Sequence, residues 1–123
     1  MKVVDAIGAQ LDWMVAKADE NLYPKGDVRL LDGKVFTIEA GDYERSDRWQ
    51  RYNPSTDWAQ GGTIIDRERI TIRQWTGMPI IHAYMPQDNA PWLSDGASPL
   101  IAAMRCYVAS KLGDELDVPE ELS

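Results

Sequence analysis

Arg69-Ile70-Thr71-Ile72-Arg73-Gln74-Trp75, then Thr76-Gly77-Met78-Pro79, then Ile80-Ile81-His82-Ala83-Tyr84-Met85 is the stretch that decides the fold. Apolar and polar side chains alternate with period two through the first seven residues, the pattern of a strand with one covered face. The following turn sends the chain back antiparallel. With Gly77 and Met78 as a two-residue loop, Ile70 and Ile72 share a face with Met85, Ala83 and Ile81. The other face carries Thr71, Arg73 and Trp75 beside Tyr84, His82 and Ile80. A slip of one residue would exchange the two faces.

Working outward, Pro86 to Gly96 reads as a loop punctuated by Pro86, Pro91 and Gly96. Ser98-Pro99 is a helix start: a capping hydroxyl, then a ring preset to helical φ. Leu100, Ile101, Met104, Tyr107, Val108 and Leu112 form the apolar stripe of a helix over 99–112, and Gly113 stops it. Residues 114–123 are an acidic tail, with Leu116, Val118 and Leu122 available to dock. Upstream, Ser55 or Thr56 can cap a single helical turn carrying Asp57 and Trp58, with Gly61 or Gly62 ending it. Residues 63–68 read as a short turn or the approach to the strand.

A second hairpin is signalled by Val28-Arg29-Leu30-Leu31, Asp32-Gly33 and Lys34-Val35-Phe36-Thr37-Ile38, because Asp-Gly supplies the two positive φ angles of a type I′ turn. Tyr23-Pro24-Lys25-Gly26 is a loop, and residues 39–52 are a polar loop with room for a short strand. Val4, Ile7, Leu11, Met14, Val15 and Ala18 recur at helical spacing, which predicts an amphipathic helix over residues 3–20. Asp5, Asp12, Lys17 and Asp19 fall off its apolar stripe, and Gly8 weakens it. The expected fold is α+β: an N-terminal helix, two β-hairpins forming a small antiparallel sheet, and a C-terminal helix packed on one face. One domain spans 1–113, followed by the tail.

At 123 residues, 44% hydrophobic and 27% charged, the chain has the composition of one globular domain rather than a disordered one. No apolar run is long enough for a transmembrane helix, and the first twenty residues lack a basic-then-apolar leader, which points away from secretion. A single cysteine, Cys106, cannot make an internal disulfide, which fits a reducing compartment. The formal net charge is −7, so nonspecific duplex nucleic-acid binding is disfavoured. Yet six of the eight arginines (Arg45, Arg48, Arg51, Arg67, Arg69 and Arg73) fall within 45–73. They either neutralise Asp47, Asp57, Asp66 and Glu68 or hold a small anion.

Catalytic chemistry has little to work with. One His and one Cys rule out a zinc-ligand pattern, and Gly61-Gly62 lacks the Lys-Ser/Thr of a phosphate loop. Cys106 reads as a small packed hydrophobe within the C-terminal helix. The expectation is a protein with no catalytic residues, no metal and no cofactor. Five tryptophans and five tyrosines against one phenylalanine point instead to stacking or interfaces. The candidate ligand-binding set is Ser55, Thr56, Asp57 and Trp58 at the helical turn, Arg67, Arg69 and Arg73 as cations, and Trp75, His82 and Tyr84 on the outward strand face. Trp58 and Trp75 can equally be core residues, and Trp13 reads as core. A lone histidine such as His82 is more often structural or exposed than functional.

Residues 52–68, Tyr52-Asn53-Pro54-Ser55-Thr56-Asp57-Trp58-Ala59-Gln60-Gly61-Gly62-Thr63-Ile64-Ile65-Asp66-Arg67-Glu68, resemble a block found in the NinX-like family of phage proteins. A second similar block runs from Ser98 to Glu115, and Leu11 to Ala18 is similar to the family's opening helix. Thr63 stands where the family often has proline, and Asp66 where it often has glutamate. The resemblance implies an accessory protein of tailed phages that acts in the host cytoplasm. By analogy with other small phage proteins, it implies counter-defence. The expected function is non-enzymatic capture of a small anionic, nucleotide-like ligand. The alternatives are inhibition of a host protein through an interface, or a small hydrolase or lyase using His82 with Asp57 or Glu68. The expected partners are that ligand or a host defence protein, with no duplex nucleic acid and no membrane, and room for a homo-oligomer.

Overall fold

The computed structural model describes residues 1–19, 28–38, 49–85 and 92–123. Among them are three α-helices, α1 (Gly8–Ala18), α2 (Trp58–Glu68) and α3 (Pro99–Leu112). Six strands, β1 (Val28–Leu31), β2 (Lys34–Thr37), β3 (Gln50–Arg51), β4 (Thr71–Gln74), β5 (Ile81–Met85) and β6 (Trp92–Gly96), accompany them. The α+β class is as expected. The two hairpins, however, seed separate antiparallel sheets, ordered β1-β2-β3 and β4-β5-β6.

The deciding hairpin has the register that its two-residue loop dictates. Thr71 pairs with Tyr84, Ile72 with Ala83, Arg73 with His82 and Gln74 with Ile81. Ile81, Ala83 and Met85 are buried beneath β5, while His82 and Tyr84 stand half-buried on the opposite face. The first hairpin turns at Asp32 (φ 52°) and Gly33 (φ 70°), both in the left-handed region a type I′ loop requires.

Helix α3 is the central pillar. The Ser98 hydroxyl accepts from the Ile101 N–H at 3.1 Å, and Pro99 opens the helix. Leu100, Ala102, Ala103, Met104, Cys106, Tyr107, Val108 and Ala109 are buried, so α3 is covered on more than one side: by β5 and β6, by α1 and by α2. Small residues at 102, 103 and 109 let those layers approach. Tyr107, Leu11, Met14, Met104 and Val108 fill the interior between α1 and α3.

Four expectations are corrected. The first helix does not run from residue 3 to 20: Val3–Asp5 form a separate 3₁₀ turn, and α1 begins at Gly8 (φ 55°). The cause is the tail. Lys2 bridges Glu115, and the Val3 N–H donates to the Asp114 carbonyl at 2.8 Å, which pulls the first residues off the helix axis. Second, the turn at Trp58 is not stopped by the glycine pair; α2 continues to Glu68. Gly61 lies inside it because a Cβ there would collide with the Pro54 carbonyl oxygen and the Leu100 side chain. Third, the strand starts at Thr71 rather than Arg69, because Arg69 closes α2 with φ 55°. Fourth, residues 92–96 are a strand paired with β5 rather than loop. The expectations for residues 20–27, 39–48 and 86–91 lie outside the described residues.

Beyond Gly113, the Leu116 N–H donates to the Met1 carbonyl (2.9 Å), the Gln10 amide donates to the Leu122 carbonyl (2.7 Å), and Leu122 is buried. No helix among the described residues is long and apolar enough to cross a membrane.

Candidate functional site: the outward face of the second sheet

The ten candidate residues fall into three places. Ser55, Thr56 and Asp57 build the entry to α2. Ser55 is buried; its N–H donates to Asp12 Oδ1 at 2.9 Å and its hydroxyl lies 3.5 Å from the Gly8 carbonyl. The cap is Asp57 and not Ser55 or Thr56 as expected: Asp57 accepts from the Ala59 N–H at 3.1 Å, while Thr56 closes a local turn with Asn53 and Ser55 is engaged with Asp12 and Gly8. Trp58, at the first position of α2, is 57% exposed and so is not core. It stands roughly 16 Å along the helix axis from Arg69.

Arg67 faces inward. Its Nη2 is 3.3 Å from the buried Asp19 carboxylate and donates to the Tyr107 hydroxyl at 3.3 Å. Its Nε is 3.5 Å from Glu68, which also meets Lys111 at 3.4 Å. Tyr107 in turn donates to the Ala18 carbonyl at 3.3 Å. This arginine ties α1, α2 and α3 together, the neutralising role open to the whole cluster.

Arg73, Trp75, His82 and Tyr84 come together on the outward face of β4-β5-β6. The register lines up Arg73, His82 and Asp95 in one row across three strands, and Thr71 and Tyr84 in the next. The Arg73 guanidinium sits over the Trp75 ring, 5.3 Å from its centroid, which holds the indole out as a flat platform. Past the strand ends the hairpin tip adds exposed apolar side chains: Trp75 is 55% exposed, Met78 50% and Ile80 44%. At the other end, Arg69 and Thr71 line an open recess of about 460 Å³ with Ile65, Asp66 and Ile70. The face therefore joins cations, aromatic planes and an apolar tip on a rigid strand scaffold.

Sequence reasoning missed the polar groups that organise the interior. Asp12 is buried on α1, and burial pushes its carboxyl up to about 6 despite the Ser55 N–H that favours the charged form. Asp12 and Asp19 are seven residues apart, two helical turns, and that spacing was the available signal. The Tyr52 hydroxyl is buried with no hydrogen-bond partner among the described residues, and burial raises its pKa. Asp95 carries no such signal, because the sequence of its strand has the pattern of a loop. Cys106 is fully buried, and burial pushes its thiol up to about 11. Among the described residues no group of three or more His, Cys, Asp or Glu could hold a metal ion.

No curated protein matches the sequence. A family model described as bacteriophage P22 NinX matches residues 2–111, which include every element from the first turn through nearly all of α3 and the whole of the sheet face just described. The chain belongs to the bacteriophage P22 NinX family.

Proposed function

We propose that this phage protein is a non-enzymatic accessory factor in the host cytoplasm, and that it works by occupying a host protein with the outward face of β4-β5-β6 and the hairpin tip. The observation that carries this reading is the exposed run Trp75, Met78 and Ile80 beside Arg73 and Tyr84. Trp, Tyr, Met and Arg are the residue types enriched where proteins meet. Segment 69–85 holds Arg69 and Arg73 and no acidic residue, in a chain of net charge −7. The complementary partner surface is apolar at its centre and acidic at its rim. Blocking a host defence protein in this way is a counter-defence activity.

Affinity capture from host lysate tests it with two variants. Trp75→Ser should abolish retention of a stoichiometric host protein, and Trp58→Ser, exposed at the far end of α2, should leave it intact. Equal retention by both variants would contradict the proposal.

A second reading, capture of a small anionic nucleotide-like ligand, is favoured by the Arg73–Trp75 stack and the recess beside Arg69. A base on the indole with a phosphate at Arg69 or Arg73 would use both. Calorimetry with cyclic and ADP-ribose-type nucleotides separates the readings: binding tighter than about 100 μM, weakened by roughly 1–3 kcal/mol in Arg73→Ala, supports capture.

A further inference from the structure

The two ends of the chain are stitched to each other: Lys2 bridges Glu115, and the Met1 amine donates to the Leu116 carbonyl at 2.7 Å. Between this pair of segments, β6 and the last turns of α3 lies a cavity of about 310 Å³. Val3 and Ala109 form its apolar wall, and exposed Val4 stands at the mouth. Ser94 lines it from β6. Paired with Ala83, Ser94 is on the helix-facing side of the sheet and only 8% exposed. Its hydroxyl has no hydrogen-bond partner among the described residues and, unlike the Tyr52 hydroxyl, is not sealed from solvent, which leaves it open to a ligand in the cavity. Both signs of charge line the cavity: Lys2 on one chain end lies opposite its bridge partner Glu115 on the other, with Asp114 next to it in sequence.

We propose that this cavity binds a small zwitterion of the α-amino-acid type with a short aliphatic side chain. A ligand carrying only positive charge would sit against Lys2, and one carrying only negative charge would face two carboxylates. A zwitterion pairs both, with its carboxylate toward Lys2 and the Ser94 hydroxyl and its ammonium toward Asp114 and Glu115. The aliphatic side chain lies on Val3 and Ala109. The volume is at the lower end of ligand cavities, which start at roughly 300 Å³, and suits a ligand of that size rather than a nucleotide. This site is separate from the outward face of the sheet, and neither proposal depends on the other.

A ¹⁵N–¹H titration with L-valine tests the site, with isobutylamine and isobutyrate as singly charged comparisons. L-Valine should shift the Val3, Ser94 and Asp114 amides saturably, with Kd below about 10 mM. Each single-charge compound should bind at least about tenfold more weakly, as expected for loss of one charged partner. Ser94→Ala should weaken L-valine several-fold with the remaining spectrum unchanged. If that variant fails to fold, Lys2→Gln, at an exposed position, should bring L-valine down to the level of isobutylamine. No saturable shift with L-valine, or isobutylamine binding as tightly as L-valine, would overturn the assignment.

Discussion

Asp12 is the residue whose chemistry is most legible in solution. The unfolded chain holds its proton only below the ordinary value of 3.8, whereas the folded chain holds it up to about 6. Between those values the folded state binds the extra proton, so this group's contribution to stability is fully present below 3.8 and is lost as pH rises through 6. Two pKa units correspond to roughly 3 kcal/mol. Asp12→Asn keeps an acceptor for the Ser55 N–H and carries no charge. It should remove this decline and raise stability at pH 7.5 by about 1–3 kcal/mol, read from urea midpoints at pH 4 and pH 7.5. A variant that tracks the wild type across that range would contradict the assignment. Arg67 gives the complementary prediction. Arg67→Met strips one partner from the buried Asp19 carboxylate and one from Tyr107, and should cost about 1–3 kcal/mol. An arginine serving only a surface ligand would cost almost nothing in the same assay.

At the scale of elements, α2 carries the sharpest test. Gly61 packs closely on Pro54 and Leu100, so Gly61→Ala should lose about 1–3 kcal/mol even though alanine is the better helix former. An unchanged midpoint would mean that the loop at Pro54 yields freely. The same helix explains which elements were readable in advance. The β4–β5 hairpin, its register and α3 were legible because period-two alternation, a two-residue loop and a Ser-Pro start are local signals. The extent of α2 was not, because paired glycines signal a stop locally and only the distant neighbours Pro54 and Leu100 reverse that meaning. Strand β6 escaped for a related reason: Trp92-Leu93-Ser94-Asp95-Gly96 has no clear alternation, and its pairing with β5 organises it. The helical pattern of the first residues is true as a pattern, yet the 3₁₀ turn wins there because the tail claims the Met1 carbonyl and the Val3 N–H on either side of Lys2. Arg73, Trp75, His82 and Tyr84 were placed together by the hairpin register alone. Arg67 and Ser55 separated from them because their partners, Asp19 and Asp12, lie on a helix 40 or more residues away in sequence.

Taken whole, the molecule packs α3 against one face of the β4-β5-β6 sheet, with Ile81, Ala83 and Met85 buried on that side. The other face presents half-buried Tyr84 and His82, and the tip is exposed at Trp75, Met78 and Ile80. A rigid strand platform backed by a central helix loses little conformational freedom when a partner docks, so most of the contact energy there is available to binding. Residues 69–85 carry Arg69 and Arg73 and no acid, whereas the rest of the chain is strongly acidic, which favours approach of an acidic partner by this segment. The same asymmetry predicts that association weakens with added salt, chiefly through slower encounter, which stopped-flow measurements at 50 and 500 mM salt would read.

The central claim is that residues 71–85 form the working surface. Hydrogen–deuterium exchange on the chain, alone and in complex with its captured host protein, tests it most directly. Slowed exchange concentrated at 71–85, with α1 and the tail unchanged, is the predicted result. Protection confined to α1, the β1–β2 hairpin or the tail, with 71–85 exchanging as in the isolated chain, would contradict it.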